Sequence, residues 1–323
     1  MRVAYVLAAQ SLPDYSHKFS RHDFTLAQLF ACLAVKELLK RSYRGAEAVL
    51  RDSPGWLADV GLRRAPDHNT LCRAADYLLR ARRVNRVLDK VAEWAAVGRL
   101  LGLSAKPLAV DSTTYESRHV SRHYERRRDQ TRKRARKRPR AKQAGKGPER
   151  GRKSARSGTV KRLPKLGLGV AAGCHLVLAA WVGTGGGSDH PHFKPVVSAA
   201  RRRVPNRRFK VAADAGYDSE EHHAWGRGQM GLATLIPPDI GRPRKDGGPP
   251  GGEWRARMKQ VMATKESRKR SGYTQRWQAE TVNSMMKRNT GSALAGRSAW
   301  SRKRDMLLKT LTHDVMILAH ALS

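Results

Sequence analysis

Cysteine is scarce in this sequence: 323 residues hold three, Cys32, Cys72 and Cys174. Their spacing is too wide for a zinc knuckle. An odd count suits a reducing compartment, so no disulfide scaffold is expected. No run of 18 apolar residues occurs, which excludes a transmembrane helix. The opening MRVAYVLAAQSLPDYS carries one early Arg and a short apolar stretch without a long hydrophobic region. It reads as folded structure and not as a signal peptide. Acidic residues are also in short supply: 27 Asp and Glu face 65 Lys and Arg, a formal charge of +38. Gly183, Gly185, Gly186 and Gly187 are not followed by Lys-Ser/Thr, so they make no phosphate loop and no nucleotide cofactor is expected.

Hydrophobic residues make up 40%, enough for a packed core. The cationic surplus repels itself and calls for a polyanion. Residues 118–162 hold 20 Lys/Arg against 3 Asp/Glu, yet the rest of the chain still carries +21. The folded body is therefore basic as well, and nucleic acid is the partner it fits. A membrane surface fits less well, because the basic stretch has almost no apolar residues to insert.

Residues 23–104 read as helical, with Asp23 or Thr25 as first cap, Ser53-Pro54 opening a short helix, and Asp67 capping a long helix that ends at Gly102. Arg73, Arg80, Arg82, Arg83 and Arg86 decorate that helix, as in a duplex-binding or an assembly module. From residue 105 on, strands alternate with helices, which argues for an α/β domain. Pro107–Asp111 is a short strand ending in a carboxylate. The Pro/Gly/Arg/Lys-rich stretch at about 117–163 reads as a basic, disordered insertion. LGLGVAAGCHLVLAAWVGTGGG reads as two strands joined near Gly173, and SDHPHF as a loop before a helix. A second short strand ends at Asp214. A small insertion is expected at about 237–265, and helices from Tyr273 almost to the end.

Asp111 and Asp214 thus sit at strand ends, at the border of core and solvent. A lone carboxylate there is costly unless partnered, and a divalent cation serves, although for either one alone a cap or a salt bridge is the leading reading. Tyr273, Arg276, Glu280 and Lys287 are spaced 3, 4 and 7 apart. On an α-helix they fall within an arc of roughly 60°, with Ala279, Val282, Met285 and Met286 largely opposite. The plainer alternative is a surface Arg276–Glu280 pair, worth a few tenths of a kcal/mol. His190 and His192 flank a proline and read as surface residues, and Glu116 and Asp218 rank below the three acids as ligands. Trp254 and Trp300 read as packing residues first and base-stacking residues second.

AVDSTTYE, VAADAGYDSEE and the Y-x2-R-x3-E-x6-K set, taken in order, resemble the prokaryotic insertion-sequence transposases of the DDE class, in which the spaced Tyr-Arg-Glu-Lys set is a signature. SDHPHFKPVV, LATLIPPD and SRKRDMLLKTLTHDVMILAH extend the resemblance over nearly the whole chain. It implies an α/β, RNase H-like catalytic domain over 105–323, preceded by an all-helical domain over 1–104 for DNA binding or assembly. It implies Asp111, Asp214 and Glu280 as catalytic residues holding two Mg²⁺ ions, with Mn²⁺ as a substitute. Tyr273, Arg276 and Lys287 would contact DNA near the transposon end. The implied activity is cleavage and strand transfer on double-stranded DNA, of cut-and-paste type, by a dimer in the active complex. The implied location is the cytoplasm, on the nucleoid. A non-enzymatic DNA binder derived from a transposase, and a metal-dependent nuclease without strand transfer, remain as alternatives.

Overall fold

The computed structural model describes residues 1–98, 100, 106–118, 130, 163–184, 189–204, 209–239 and 251–322. The insertion predicted over 117–163 lies outside these residues except for its two ends and residue 130. Most of the Gly/Pro/Arg loop at 241–252 also lies outside them.

The chain opens with α1 (Arg2–Ala9), α2 (Leu26–Leu38), α3 (Tyr43–Arg51), α4 (Pro54–Ala58), α5 (His68–Leu78) and α6 (Ala81–Val97). Thr25 caps α2, and Gln28 returns the bond to the Thr25 amide in a reciprocal cap. Asp67 caps α5 by accepting from the Asn69 and Thr70 amides. The single long helix predicted from Asp67 to Gly102 is instead two. It breaks at Leu79-Arg80, and α6 stops at Val97 with Gly98 as its C-cap. The break has a packing cause. On one continuous helix the Val84, Val87, Leu88 and Val91 stripe would lie roughly 140° round from the Leu71, Ala74, Ala75 and Leu78 stripe. Interrupting the helix lets both stripes bury.

The remainder comprises β1 (Leu108–Thr114), β2 (Glu116–Ser117), β3 (Pro164–Ala171), β4 (Val177–Thr184), α7 (His190–Arg203), β5 (Lys210–Ala213), α8 (Glu220–Gly228), β6 (Ala233–Leu235), α9 (Glu253–Val261), α10 (Lys265–Ser271), α11 (Trp277–Thr290), β7 (Ala293–Leu294) and α12 (Ala299–Leu322). Two 3-10 turns lie at Ala215–Tyr217 and Tyr273–Arg276. The main sheet runs β4-β3-β1-β5-β6. β1 pairs antiparallel with β3 and β3 with β4, whereas β1–β5 and β5–β6 are parallel. A mixed sheet flanked by helices in this way fits an RNase H-like domain.

Both faces of the sheet are covered. Leu108, Val110, Val211 and Ala213 face α7 and belong to one apolar cluster with Phe193 and Val197. That cluster continues through Leu308 and Leu311 of α12 into α1, α2, α5 and α6. Ala109, Leu166, Leu168 and Val170 face the other way, onto Ala279, Val282 and Met286 of α11. The glycines of the LGLG run have a steric purpose: a Cβ on Gly167 would come within 2.6 Å of the His192 ring, and one on Gly169 within 2.9 Å of Val196. Their absence lets α7 lie close on β3.

Two local expectations need correction. The strand carrying Asp111 does not end there but continues to Thr114, because Ser112, Thr113 and Thr114 keep pairing with β3. SDHPHF is helical from His190, with Pro191 in the first turn where its missing N–H costs nothing. The small insertion at 237–265 contains α9 and the start of α10. Met258 and Met262 bury against Ala212 and Leu235 and cover the β5–β6 edge.

A buried ionic cluster ties α2 to α12. The Lys309 ammonium donates to Glu37 at 2.7 Å and to the Thr290 carbonyl, and Lys36 donates to Glu37 at 3.1 Å. All three side chains are nearly inaccessible. Burial raises the Glu37 pKa, but the two ammonium groups prevail and hold it below its ordinary value. Glu37→Leu would leave two buried cations without their carboxylate. It is expected to cost about 3–5 kcal/mol in denaturant unfolding; a loss below about 1 kcal/mol would show that the cluster is solvated.

Candidate active site

Register brings the two aspartates together. Val110 of β1 pairs with Ala213 of β5, the last residue of that strand. Asp111 and Asp214 are the next residues on each chain, so they leave the pairing side by side. Asp214 turns into the first 3-10 turn and caps it, accepting from the Gly216 amide at 2.9 Å. A Cβ on Gly216 would lie 3.0 Å from Asp214 Oδ1 and 3.6 Å from Asp189 Oδ2, so a side chain there would crowd the carboxylates.

α11 supplies the third carboxylate. Ala279, Val282 and Met286 anchor it on the sheet, which turns Asn283 inward and Glu280 outward. The Asn283 amide donates to Asp111 Oδ2 at 2.9 Å. The Glu280 side chain is 56% exposed and accepts from Arg276 Nη2 at 2.6 Å. Asp111, Glu280, Asn283, Lys287 and Arg288 line one cleft of about 570 Å³. Lys287 Nζ also sits 5.4 Å from the centre of the Tyr115 ring.

The single helical face predicted for Tyr273, Arg276, Glu280 and Lys287 is split. Tyr273 and Arg276 lie in the second 3-10 turn, and only Glu280 and Lys287 lie on α11. Tyr273 packs against the Ala212, Leu235 and Met258 cluster, and burial raises its pKa. The surface pair considered as the plainer alternative, Arg276 with Glu280, is present.

The three carboxylates share one field. Burial pushes the Asp111 carboxyl up to about 6; the charges of Asp214 and Glu280 add to the rise, while the Ser112 amide and Arg276 oppose it. Asp214 is also raised, by burial first, with Asp189 and Glu280 adding and the Gly216 amide and Arg276 opposing. The Asn283 carbonyl oxygen beside them is buried without a partner among the described residues.

A divalent cation implied by the fold finds hard oxygen donors here. The crowded pair Asp111–Asp214 and the unsatisfied Asn283 oxygen fit such an ion. Glu280 is the exception, because its carboxylate is engaged by Arg276. Among the described residues, no group of three His, Cys, Asp or Glu is placed to hold a metal.

Several residues were missed by sequence reasoning. Asp189 accepts from Ser112 Oγ at 2.9 Å and pairs with Lys165, on the α7 side of the sheet behind the two aspartates. His192, read as a surface residue in a loop, is 1% exposed and shares a 2.7 Å hydrogen bond with the Tyr217 hydroxyl. Burial pushes its pKa down to about 4. The signal was available in the neighbouring strand, where alternate glycines make room for its ring. Asp218 is an ion-pair residue: its carboxylate takes Arg255 Nε at 2.9 and 3.0 Å, while Glu220 accepts from the Trp254 and Arg255 amides. These bonds latch α9 beside the Asp214 turn. Trp254 lies under Arg227, 4.4 Å from the ring centre, and Trp300 is 54% exposed.

The raised Asp111 carboxyl has a thermodynamic consequence. Well above pH 6 it is ionised in the folded and unfolded chain alike. Between its ordinary 3.8 and about 6, the folded chain holds a proton that the unfolded chain has lost, so stability rises as pH falls through that window. In metal-free buffer Asp111→Asn is expected to unfold at higher temperature than the wild type at about pH 7.5, and the gap should shrink by about pH 5. A gap of constant size in thermal unfolding would contradict the shift.

Residues 102–313 match the family described as the transposase DDE domain. The chain matches none of the curated proteins and none of the solved structures it was compared with. The matched stretch runs from just before β1 into α12 and takes in every residue of the cleft. With two thirds of its length inside that match, the chain belongs to the transposase DDE domain family.

Proposed function

We propose that the chain binds double-stranded DNA at the ends of a mobile element, cuts it and joins it to a target, in cut-and-paste fashion, as a dimer on the chromosome in the cytoplasm. The observation that carries this reading is the juxtaposition of Asp111 and Asp214 at the ends of paired stretches of adjacent parallel strands, with Glu280 lining the same cleft as Asp111. These three residues would hold Mg²⁺ or Mn²⁺. When bound, two such ions supply an activated oxygen nucleophile and stabilise the leaving oxygen at the scissile phosphate.

The chain's own residues do the rest. Asn283 orients Asp111 through its 2.9 Å bond. Lys287 and Arg288 give the cleft a cationic wall suited to phosphate, and Arg276 adds a guanidinium able to bind a phosphate bidentately. Tyr273 backs Arg276 from within the same 3-10 turn. The +38 charge of the chain favours the duplex backbone at any sequence, so recognition of an end depends on contacts beyond charge.

Asp111→Asn, Asp214→Asn and Glu280→Gln are each expected to reduce Mg²⁺-dependent cleavage of end-bearing DNA by roughly 10³-fold or more, with DNA affinity retained. Normal cleavage by any one variant removes that residue from the catalytic set. Cutting without joining identifies a nuclease, and binding without cutting identifies a DNA-binding protein. Lys287→Ala should weaken DNA binding and lower the slope of log affinity against log salt by about one unit; an unchanged slope argues against a phosphate contact.

A further inference from the structure

We propose that Arg276 is a positioning residue that holds Glu280 away from the aspartate pair until a DNA phosphate takes over its guanidinium, so that cation binding and DNA binding strengthen one another. The inference rests on the reading of Asp111, Asp214 and Glu280 as metal ligands.

The geometry is that of one cation shared by three acids. Arg276 Nη2 donates to Glu280 Oε1 at 2.6 Å, and the same guanidinium opposes the negative charge of both Asp111 and Asp214. Arg276 thus neutralises in part the charge that a metal ion would neutralise. The pairing is also what separates Glu280 from its two companions: all three lie within one another's field, yet no three-ligand group exists among the described residues.

The pair is easily exchanged. Glu280 is 56% exposed and Arg276 22% exposed, and Arg276 reaches it from the 3-10 turn ahead of α11, so the pair is partly open to solvent and weak. A phosphate is the stronger partner, because it accepts two parallel bonds from a guanidinium. The way in is marked by Lys287 and Arg288 on the same cleft, neither of which has a carboxylate partner among the described residues. Once Arg276 turns to phosphate, Glu280 is released and the carboxylates lose their internal counter-ion. Both changes favour a divalent cation. Linkage makes the effect mutual: whatever factor DNA adds to metal affinity, metal adds to DNA affinity.

The test is Mn²⁺ titration of the full chain by calorimetry, with and without a phosphorothioate-protected duplex whose own Mn²⁺ uptake is subtracted. For the wild type, the duplex should tighten Mn²⁺ binding by about fivefold or more, the usual size of such a coupling. Without DNA, Arg276→Gln should bind Mn²⁺ more tightly than the wild type, and the duplex should then add little. Arg276→Lys, which keeps the charge, and Lys287→Gln, which removes an equal charge from the same cleft, separate positioning from the general field. The proposal expects Arg276→Gln to exceed Lys287→Gln in Mn²⁺ affinity without DNA, and Arg276→Lys to stay near the wild type. Equal gains in Arg276→Gln and Lys287→Gln, or no gain in Arg276→Gln, overturn it while leaving the metal site intact. Mn²⁺ binding undiminished in Asp111→Asn overturns the metal-site reading and this inference with it.

Discussion

Asp111 and Asp214 stand side by side because β1 and β5 run parallel and in register, and the surrounding structure manages the cost of that juxtaposition. Two carboxylates at the edge of a core repel one another and lose solvation together. The protein answers with a few well-placed groups: the Gly216 amide at Asp214, the Asn283 amide at Asp111, and the charge of Arg276 nearby. Asp111 nonetheless stays well above the ordinary carboxylate range. A site that remains overcharged after its internal partners are counted is poised for an added cation.

The fold fixes the aspartates from both sides. Behind them, Asp189 joins Ser112, the neighbour of Asp111, to Lys165, while His192 joins α7 to Tyr217 at the end of the Asp214 turn. In front, α11 rests on the sheet through Ala279, Val282 and Met286 and carries Asn283 and Glu280 into the cleft. α12 runs beneath both the helical N-terminal part and the sheet, and the Glu37–Lys309 contact locks the two. The α9 latch through Asp218 and Arg255 holds the far edge of the sheet, against which Tyr273 packs. The aspartate pair is thus set by rigid elements, whereas Glu280 hangs from an exposed helical turn and pairs with Arg276.

Much of this was legible in the residues. Short apolar runs ending in Asp marked both strands, and Glu280 and Lys287 of the spaced set marked the helix that faces them, whereas Tyr273 and Arg276 belong to the 3-10 turn before it. What escaped depended on tertiary packing. The break between α5 and α6 follows from two apolar stripes out of phase, which a continuous helical pattern conceals. Asp111 lies within a strand, not at its end, because pairing with β3 carries the chain on to Thr114. Asn283, Asp189 and His192 look ordinary in sequence and acquire their roles only through partners at least 25 residues away. The Arg276–Glu280 engagement is a local pair that sequence spacing does show, but its meaning depends on the two aspartates beside it.

The most direct measurement is anomalous diffraction from crystals of the protein bound to a protected duplex and soaked in Mn²⁺. The account predicts anomalous peaks in contact with Asp111, Asp214 and Glu280, with Arg276 moved onto a phosphate. A duplex seated in the cleft with no manganese on these carboxylates, and Glu280 still held by Arg276, would contradict it.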